Sequence, residues 1–419
     1  MAMVLPGVLY DETLLTQASN DDPVTMPLFI GYTFPDVAIP VTAMQPVSVG
    51  SLTQAIAHFG QGGTMAYSLR HFFENGGRQC YVLSLGPGQG EPAARLRALI
   101  AALQAPQMLE TLLADDKTGL VLVPELSELN ELNELNEVNM FEGGGTAEVD
   151  VGALWYQGWQ ALLTLCRQAP QRFALLELPD SPAQAVRLAG QSFSADLCQR
   201  GAAWWPRLET SYEDGASAAV VLSPLPAVAA AIQHSAHNNG VWKAPANLPL
   251  AKTRRPTQSI LTSQALLDNQ GVSCNLIRSF AGKGVRLWGC RTLLNEDNTA
   301  WRYIQTRLLV SSVEHYLSKL ARAYLFEPNT APTWMKLKGQ VWTWLRQQWL
   351  AGAFFGTVED EAFSLSIGLD ETMTQDDIRQ GKMILQVRLA LLAPAEFIAV
   401  SLTLDLHDGT ASAQTGGQL

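Results

Sequence analysis

Short apolar strands alternate with amphipathic helices along the first half of this chain, and this alternation constrains the fold most strongly. Residues 28–31, 80–85, 119–123 and 172–179 each have the pattern of a short buried strand. Helical patterns lie between them, at residues 53–59, 65–74, 92–113 and 155–167. Strands separated by helices predict layers of helices on a sheet. The sequence therefore predicts an α/β (α+β) fold.

A low-complexity repeat interrupts this alternation. Glu-Leu-Asn occurs three times in succession between Glu128 and Asn136, and three glycines follow at residues 143–145. A period of three matches neither the 3.6-residue period of a helix nor the two-residue period of a strand. We therefore predict a solvated acidic loop over residues 125–147, with a partner-binding acidic segment as the alternative.

Charge is distributed unevenly along the 419 residues, whose net charge is −11. Residues 1–150 contain five Lys/Arg against 18 Asp/Glu, a net charge of −13, whereas residues 234–419 have a net charge of +3. The acidic N-terminal region argues against nucleic-acid binding by that region. The basic C-terminal region is suited to an acidic partner, or its charge serves solubility alone.

No targeting or membrane segment is recognisable in the sequence. No stretch approaches the roughly 20 apolar residues that span a bilayer, and the N-terminus lacks the pattern of a secretory signal. The five cysteines are scattered without a CxxC spacing, which predicts reduced thiols in a cytosolic product.

The C-terminal part has the clearest periodicity. Leu309, Val313, Leu317, Leu320 and Tyr324 predict one amphipathic helix, and residues 333–350 predict a second. A cluster of prolines places a domain boundary near residues 223–245. Residues 398–407 alternate strictly, which predicts a long strand with one apolar face, and a disordered tail follows at 408–419.

Candidate chemical motifs are weak. Gly86 and Gly90 bound a glycine-rich turn after a strand, but Glu91 occupies the position at which a dinucleotide fingerprint needs glycine or alanine. His234 and His237 form an HxxH pair without a further ligand nearby. We therefore assign no catalytic, cofactor-binding or metal-binding residue.

A set of ordered motifs carries a family resemblance. The set comprises residues 239–247 with Gly240, Trp242, Lys243, Pro245 and Asn247; residues 284–293 with Trp288, Gly289 and Arg291; Glu327, Pro328 and Asn329; and residues 394–398 with Glu396. Together with residues 72–82, these motifs resemble the contractile tail sheath family of phages, R-type pyocins and phage-tail-like injection particles. The segments before Gly240 depart from the family pattern, which favours a specialised paralogue at the baseplate or sheath end as an alternative to the trunk subunit.

The resemblance implies a multi-domain sheath subunit. Its implied parts are an N-terminal extended arm at 1–25, an α/β segment at 26–90, an outer α/β domain at 91–230, a C-terminal assembly domain at 231–395, a β arm at 396–407 and the tail at 408–419. Two sets of residues are expected to contact neighbours. The arms that join adjoining subunits contain Val8, Leu9, Tyr10, Ile398, Val400, Leu402 and Leu404. The inner-tube contact is expected at Lys336, Lys338 and Arg346.

The implied function is structural. Hexameric rings of the subunit would stack around an inner tube and contract to drive the tube through a target envelope. The expected partners are further sheath subunits, the inner tube protein and baseplate or terminator proteins, without nucleic acid, membrane insertion or cofactor. Assembly is expected in the bacterial cytoplasm, followed by a place in a phage tail or released particle. The alternative function is a soluble α/β enzyme that binds a nucleotide cofactor at the turn between Gly86 and Gly90.

Overall fold

A computed structural model describes residues 22–35, 44–142, 149–169, 171–213, 219–258, 271–295, 300–324, 327–392, 399–405 and 410–416. The strands, in chain order, are β1 (Pro27–Gly31), β2 (Val47–Val49), β3 (Cys80–Ser84), β4 (Leu120–Leu122), β5 (Phe173–Glu177), β6 (Gly201–Trp205), β7 (Leu208–Glu213), β8 (Ala219–Leu222), β9 (Thr253–Pro256), β10 (Asn275–Phe280), β11 (Gly284–Trp288), β12 (Phe363–Ser366), β13 (Gln386–Leu389), β14 (Ala399–Asp405) and β15 (Thr410–Gly416).

The helices within the described ranges alternate with these strands. They are α1 (Leu52–Phe59), α2 (Gly63–Glu74), α3 (Pro92–Gln104), α4 (Pro106–Ala114), α5 (Glu128–Glu142), α6 (Val151–Gln168), α7 (Pro182–Ala189), α8 (Ala195–Cys198), α9 (Leu225–Asn239), α10 (Ile304–Ala323), α11 (Ala331–Leu350), α12 (Glu359–Ala362) and α13 (Gln375–Arg379). None of these helices is long and apolar enough to cross a membrane.

An eight-stranded sheet organises the chain, with the strand order β11-β10-β6-β5-β4-β1-β3-β2. Its six central strands pair in parallel, and β2 and β11 pair antiparallel at the two ends. Every residue of β1 and of β5 is buried, as expected when helices cover both faces of a parallel sheet. The predicted α/β fold is therefore confirmed.

Two apolar cores lie on opposite faces of this sheet, because neighbouring residues of a strand point to opposite sides. Phe29 belongs to the core that also contains α1, α2, α9, α10 and α11. Leu28 and Ile30 belong to the other core, with α3, α4, α5, α6 and α7. The first core continues into the C-terminal part through Leu337, Val341 and Leu345 of α11.

The sheet joins segments that the sequence analysis separates. Strands from residues 26–90, 91–230 and 231–395 all pair within it, so these segments do not form separate sheets, and their separate roles in assembly stay predictions. The range of the predicted boundary, residues 223–245, contains α9, a buried helix of the first core, and the boundary stays a prediction. Pro224 is the N-cap residue of α9 and Pro226 lies in the first turn, where the missing N–H removes no helical bond.

The predicted helix over residues 92–113 is divided in two. Ala105 adopts an extended conformation between α3 and α4, and Pro106 begins α4. A residue before proline is sterically disfavoured in the helical region, which accounts for the break.

The predicted loop over residues 125–147 is also wrong, because a 3-10 turn at Pro124–Ser127 leads directly into α5. Leucines spaced by three residues rotate by about 60° per repeat around a helix of 3.6 residues per turn. Leu129 is fully buried and Leu132 is nearly so, but Leu135 is 53% exposed. Tertiary packing of the first two leucines therefore supports a helix whose pattern is not amphipathic.

This rotation predicts a sharp difference between two chemically identical substitutions. Leu129→Ala should lower the free energy of unfolding by about 2–5 kcal/mol, because it empties space in a packed core. Leu135→Ala is the matched control, and it should change stability by no more than about 0.5 kcal/mol. Urea denaturation of the two variants measures both values, and similar losses would contradict the orientation of α5.

The structure describes part of the predicted C-terminal arm but none of the three N-terminal arm residues. Val8, Leu9, Tyr10, Glu396 and Ile398 lie outside the described residues. Val400, Leu402 and Leu404 belong to β14, which confirms the predicted strand.

The predicted disorder of residues 408–419 is wrong for residues 410–416, which form β15. β15 pairs antiparallel with β14 in a two-stranded sheet of their own. Ladder hydrogen bonds use backbone groups, so small polar residues can form a strand beside a suitable edge.

Candidate functional site

The first two motif segments of the sequence analysis meet at the end of the large sheet. The backbone N–H of Asn247 donates to the Leu287 carbonyl at 2.7 Å, and Leu287 N–H donates to the Leu248 carbonyl at 2.9 Å. Arg286 donates from Nη1 to the Asn247 carbonyl at 2.7 Å. The segment after Lys243 therefore covers the outer edge of β11, which blocks strand addition along that part of the edge.

Gly240 and Trp242 form the turn that enters this segment. Gly240 ends α9 with a φ of 90°, a conformation that favours glycine. A Cβ on Gly240 would collide with the Trp242 ring, which packs against the first core. Lys243 is exposed and Pro245 is buried. The motif therefore forms a packed turn, in which the Trp242 ring is half-buried.

A buried asparagine that the sequence analysis missed holds the second motif. The Asn275 carboxamide accepts from Arg291 N–H at 2.8 Å and donates to the Arg291 carbonyl at 2.8 Å. Gly289 has a φ of 138°, and a Cβ there would meet the Asn275 side chain. Because Asn275 is an isolated polar residue at the start of an apolar strand, no local sequence pattern identifies this role.

The third motif anchors α11. The Asn329 side chain accepts from Trp334 Nε1 at 2.6 Å and donates to the Lys382 carbonyl at 2.9 Å. Glu327 and Pro328 lie in the short connection between α10 and α11. Asn329 therefore joins the start of α11 to the segment before β13.

α11 presents an exposed face of mixed apolar and basic character. Met335 is 66% exposed and Trp342 is 40% exposed, and Gly339 between them meets open space. The predicted contact residues Lys336 and Arg346 are exposed, and Lys338 is half-buried. The helix contains no Asp or Glu. Arg346 also pairs with Glu359 at 3.2 Å and stacks on Trp342 at 5.4 Å from the ring centre.

The apolar exposure continues beyond the end of α11. Leu350, Phe355 and Val358 are all more than half exposed. Exposed apolar side chains that extend a basic face are typical of a surface that contacts another protein.

The switch point of the parallel sheet lies between the carboxyl ends of β1 and β4, where α/β proteins commonly bind nucleotides. Here Glu125 closes this crevice, because its Oε1 accepts from Tyr32 N–H at 2.9 Å. The Glu125 carboxylate lies so close to Gly31 that any side chain there would collide with it.

Beside the closed crevice, Glu128 accepts from the Thr64 hydroxyl at 2.7 Å and pairs with Arg95 at 2.5 Å. A cavity of about 350 Å³ remains, lined by Tyr32, Phe34, Gly62, Gly63, Thr64, Arg95, Glu125 and Glu128. Glu125 fills the crevice, and Glu128 in this cavity and Glu91 at the start of α3 place acidic groups where a pyrophosphate would bind.

Burial raises the pKa of two carboxyl groups that lie near the carboxyl ends of the parallel strands. The pKa of Glu125 is raised to about 8, mainly by burial and to a smaller extent by the neighbouring Glu128, while backbone hydrogen bonds and Arg95 act in the opposite direction. Burial likewise raises the pKa of Glu177, at the end of β5, to about 7. Glu125 is therefore largely protonated at neutral pH, as a plug that fills the crevice without a charge.

Comparison with known proteins gives structural neighbours over nearly the whole chain. No protein-family model matches it, and no curated protein matches it. A chain of the anti-feeding prophage baseplate in the contracted state is 84% identical, with a TM-score of 0.84, over 97% of this chain and 100% of that one.

Two more distant neighbours are sheath proteins. A chain of the contracted anti-feeding prophage helical sheath is 26% identical, with a TM-score of 0.69, over 96% of this chain and 100% of that one. A sheath tail protein from Listeria innocua shares the fold at 8% identity and a TM-score of 0.52, over 87% and 95% of the two chains.

Proposed function

Because the chain belongs to the contractile tail sheath family and has a structural role in a contractile injection system, we propose that it is the sheath subunit of the baseplate end. In this role its copies form one hexameric ring or a few rings that connect the baseplate to the sheath trunk. The subunit assembles in the bacterial cytoplasm and then remains part of the particle.

The sequence identities to two chains of the anti-feeding prophage support a position of this subunit at the baseplate end, and not in the sheath trunk. The baseplate chain is 84% identical to this chain over nearly its full length, whereas the helical sheath chain is only 26% identical. A trunk subunit would be expected to show the higher identity to the helical sheath. The departures from the family pattern before Gly240 agree with a specialised role.

Strand edges supply the means of connection between subunits. β12 and β13 form a two-stranded sheet, and β14 and β15 form another, so each of the two sheets retains outer edges that pair with no other named strand within the described residues. Such edges are templates for strand addition from a neighbouring chain. We assign this exchange to β14 with Val400, Leu402 and Leu404, together with the N-terminal residues Val8, Leu9 and Tyr10.

Contraction follows as a change between two packings of the same rigid bodies. The large sheet with its two cores is the rigid part, and the arms act as hinges that keep neighbours connected while the bodies rotate. A ring at the baseplate end would be the first to receive this change and would pass it to the trunk.

The exposed face of α11 is the proposed contact with the inner tube. Lys336, Lys338 and Arg346 supply positive charge, and Met335 and Trp342 supply apolar area. Exposed ion pairs are worth about 0–1 kcal/mol each, so a contact of this kind can be released when the sheath moves. The enzyme alternative draws no support from the crevice, which Glu125 fills.

Cryo-electron microscopy of particles that contain a tagged copy tests the proposal. The tag should lie in a layer at the baseplate end and be absent from the trunk. The same map should place α11 towards the tube. Preparations made without this chain should contain at least tenfold fewer contractile assemblies joined to a baseplate. Tags spaced along the trunk would contradict the end-specific role, and normal particles without the chain would contradict the structural role.

A further inference from the structure

A basic and aromatic cluster lies on the β10–β11 hairpin, at the end of the large sheet. The Arg278 guanidinium stands 5.4 Å from the centre of the Phe280 ring and 5.6 Å from the centre of the Trp288 ring. The two rings are 4.7 Å apart, and Trp288 is 41% exposed. We call Arg278, Phe280, Lys283, Arg286 and Trp288 the hairpin patch.

The charge of the hairpin patch is not balanced within the described residues. Arg278 and Arg286 are direct cross-strand partners, and like charges in that position are destabilising. No acidic side chain of the described chain forms an ion pair with Arg278, Lys283 or Arg286. The described residues 240–258 and 271–295 contain eight Lys/Arg and no Asp/Glu, although the whole chain is acidic. Lys252, Arg254 and Arg255 pair with glutamates of other segments, whereas the three basic residues of the patch form no such pair within the described residues. The like charges of the hairpin patch lower the stability of the folded chain. A surface that keeps such charges together is suited to binding an acidic partner.

Space for an inserted side chain adjoins the hairpin patch. A cavity of about 320 Å³ opens beside Arg278, between β10 and β9. Trp205, Pro206 and Leu276 give it an apolar wall, and Arg255 and Thr257 form part of its polar lining. A partner with carboxylates beside an exposed apolar residue would match this combination.

Helix α5 of this same chain has that chemistry. It contains five Glu and no Lys or Arg. Glu134 is exposed with no basic partner among the described residues, and the adjacent Leu135 is the leucine that the three-residue repeat leaves 53% exposed. The hairpin patch and α5 thus carry opposite charges, and each also exposes an apolar side chain to solvent.

We propose that the hairpin patch of one copy binds the outer face of α5 of an adjacent copy. Glu134 meets the arginines of the patch, and Leu135 packs against Trp288 or enters the neighbouring cavity. This contact rests on the proposed function, in which several copies stand side by side. Because the patch and α5 are different surfaces, the contact is directional and continues from copy to copy.

Charge reversal in the full-length chain tests the contact. Sedimentation velocity at low ionic strength should show oligomers of the wild type that weaken at high salt. Arg278→Glu with Lys283→Glu should reduce association at least tenfold, and so should Glu134→Lys. Arg97→Glu with Arg167→Glu reverses two exposed charges elsewhere and is the matched control, which should associate like the wild type.

Mixing the two charge-reversed variants identifies the partner. In the mixture both contacts between unlike variants join opposite charges, because the reversed patch meets the reversed α5 and the unchanged patch meets the unchanged α5. The mixture should therefore associate like the wild type, at least tenfold more strongly than either variant alone. A wild type that stays monomeric, or a mixture that does not associate, would overturn the proposal. Variants that enter particles normally and associate like the wild type would also overturn it, while leaving the structural role in place.

Discussion

A chain that lacks residues 399–419 is expected to fold but to be lost from assembled particles. β14 and β15 form a sheet of their own, so their removal leaves the eight-stranded sheet and both cores intact. A seven-residue strand on a neighbour's edge makes several backbone hydrogen bonds, each worth about 0.5–1.5 kcal/mol net. Losing several kcal/mol lowers association more than about a hundredfold.

Immunoblotting of purified particles measures how much of the truncated chain is incorporated. Thermal unfolding should show a melting transition close to that of the full chain, which separates an assembly defect from a folding defect. Replacing residues 399–416 by a Gly/Ser segment of the same length controls for chain length and should fail equally. Truncated chains found in particles at wild-type levels would refute the role of the C-terminal arm.

Glu125 is expected to make the stability of this protein fall as the pH rises. Its pKa is raised by burial to about 8 in the folded state, whereas an unfolded glutamate loses its proton near pH 4.5. Between these values the folded chain holds one proton more than the unfolded chain. The contribution to stability is therefore complete below pH 4.5, and it falls by about 1.4 kcal/mol per pH unit until pH 8.

Glu125→Gln removes this proton exchange and keeps an oxygen that can accept from Tyr32 N–H. Relative to the wild type, the variant should gain about 2 kcal/mol of stability between pH 6.5 and pH 8. Urea denaturation at both pH values measures this difference. Glu177 also contributes a fall with rising pH, and His71, whose pKa burial lowers to about 4, acts oppositely on the acid side. Both are present in the two proteins and cancel in the comparison.

The exposed Glu110 supplies the matched control for this measurement. Glu110→Gln should leave the pH dependence as it is in the wild type. Equal pH dependence in Glu125→Gln and the wild type would show that the crevice admits water and that Glu125 ionises there freely.

The motif residues could be found from the sequence, but their contacts could not. Asn247 and Leu287 are 40 positions apart, and only the folded chain shows that their backbones pair. Asn275 was missed because a single polar residue carries no periodic signal, although its side chain bonds Arg291 twice. Lys336, Lys338 and Arg346 were placed on a helix, whereas the exposed Met335 and Trp342 were revealed by the tertiary structure.

The sequence by itself determined the α/β class, the main strands and helices, and the family, because local periodicity and residue order survive without knowledge of contacts. The tertiary structure decided the helix at α5, the buried α9 and the closure of the nucleotide crevice by Glu125. Each of these depends on side chains that meet from distant parts of the chain. Packing energy at such contacts exceeds local preference, so a pattern read along the chain cannot anticipate it.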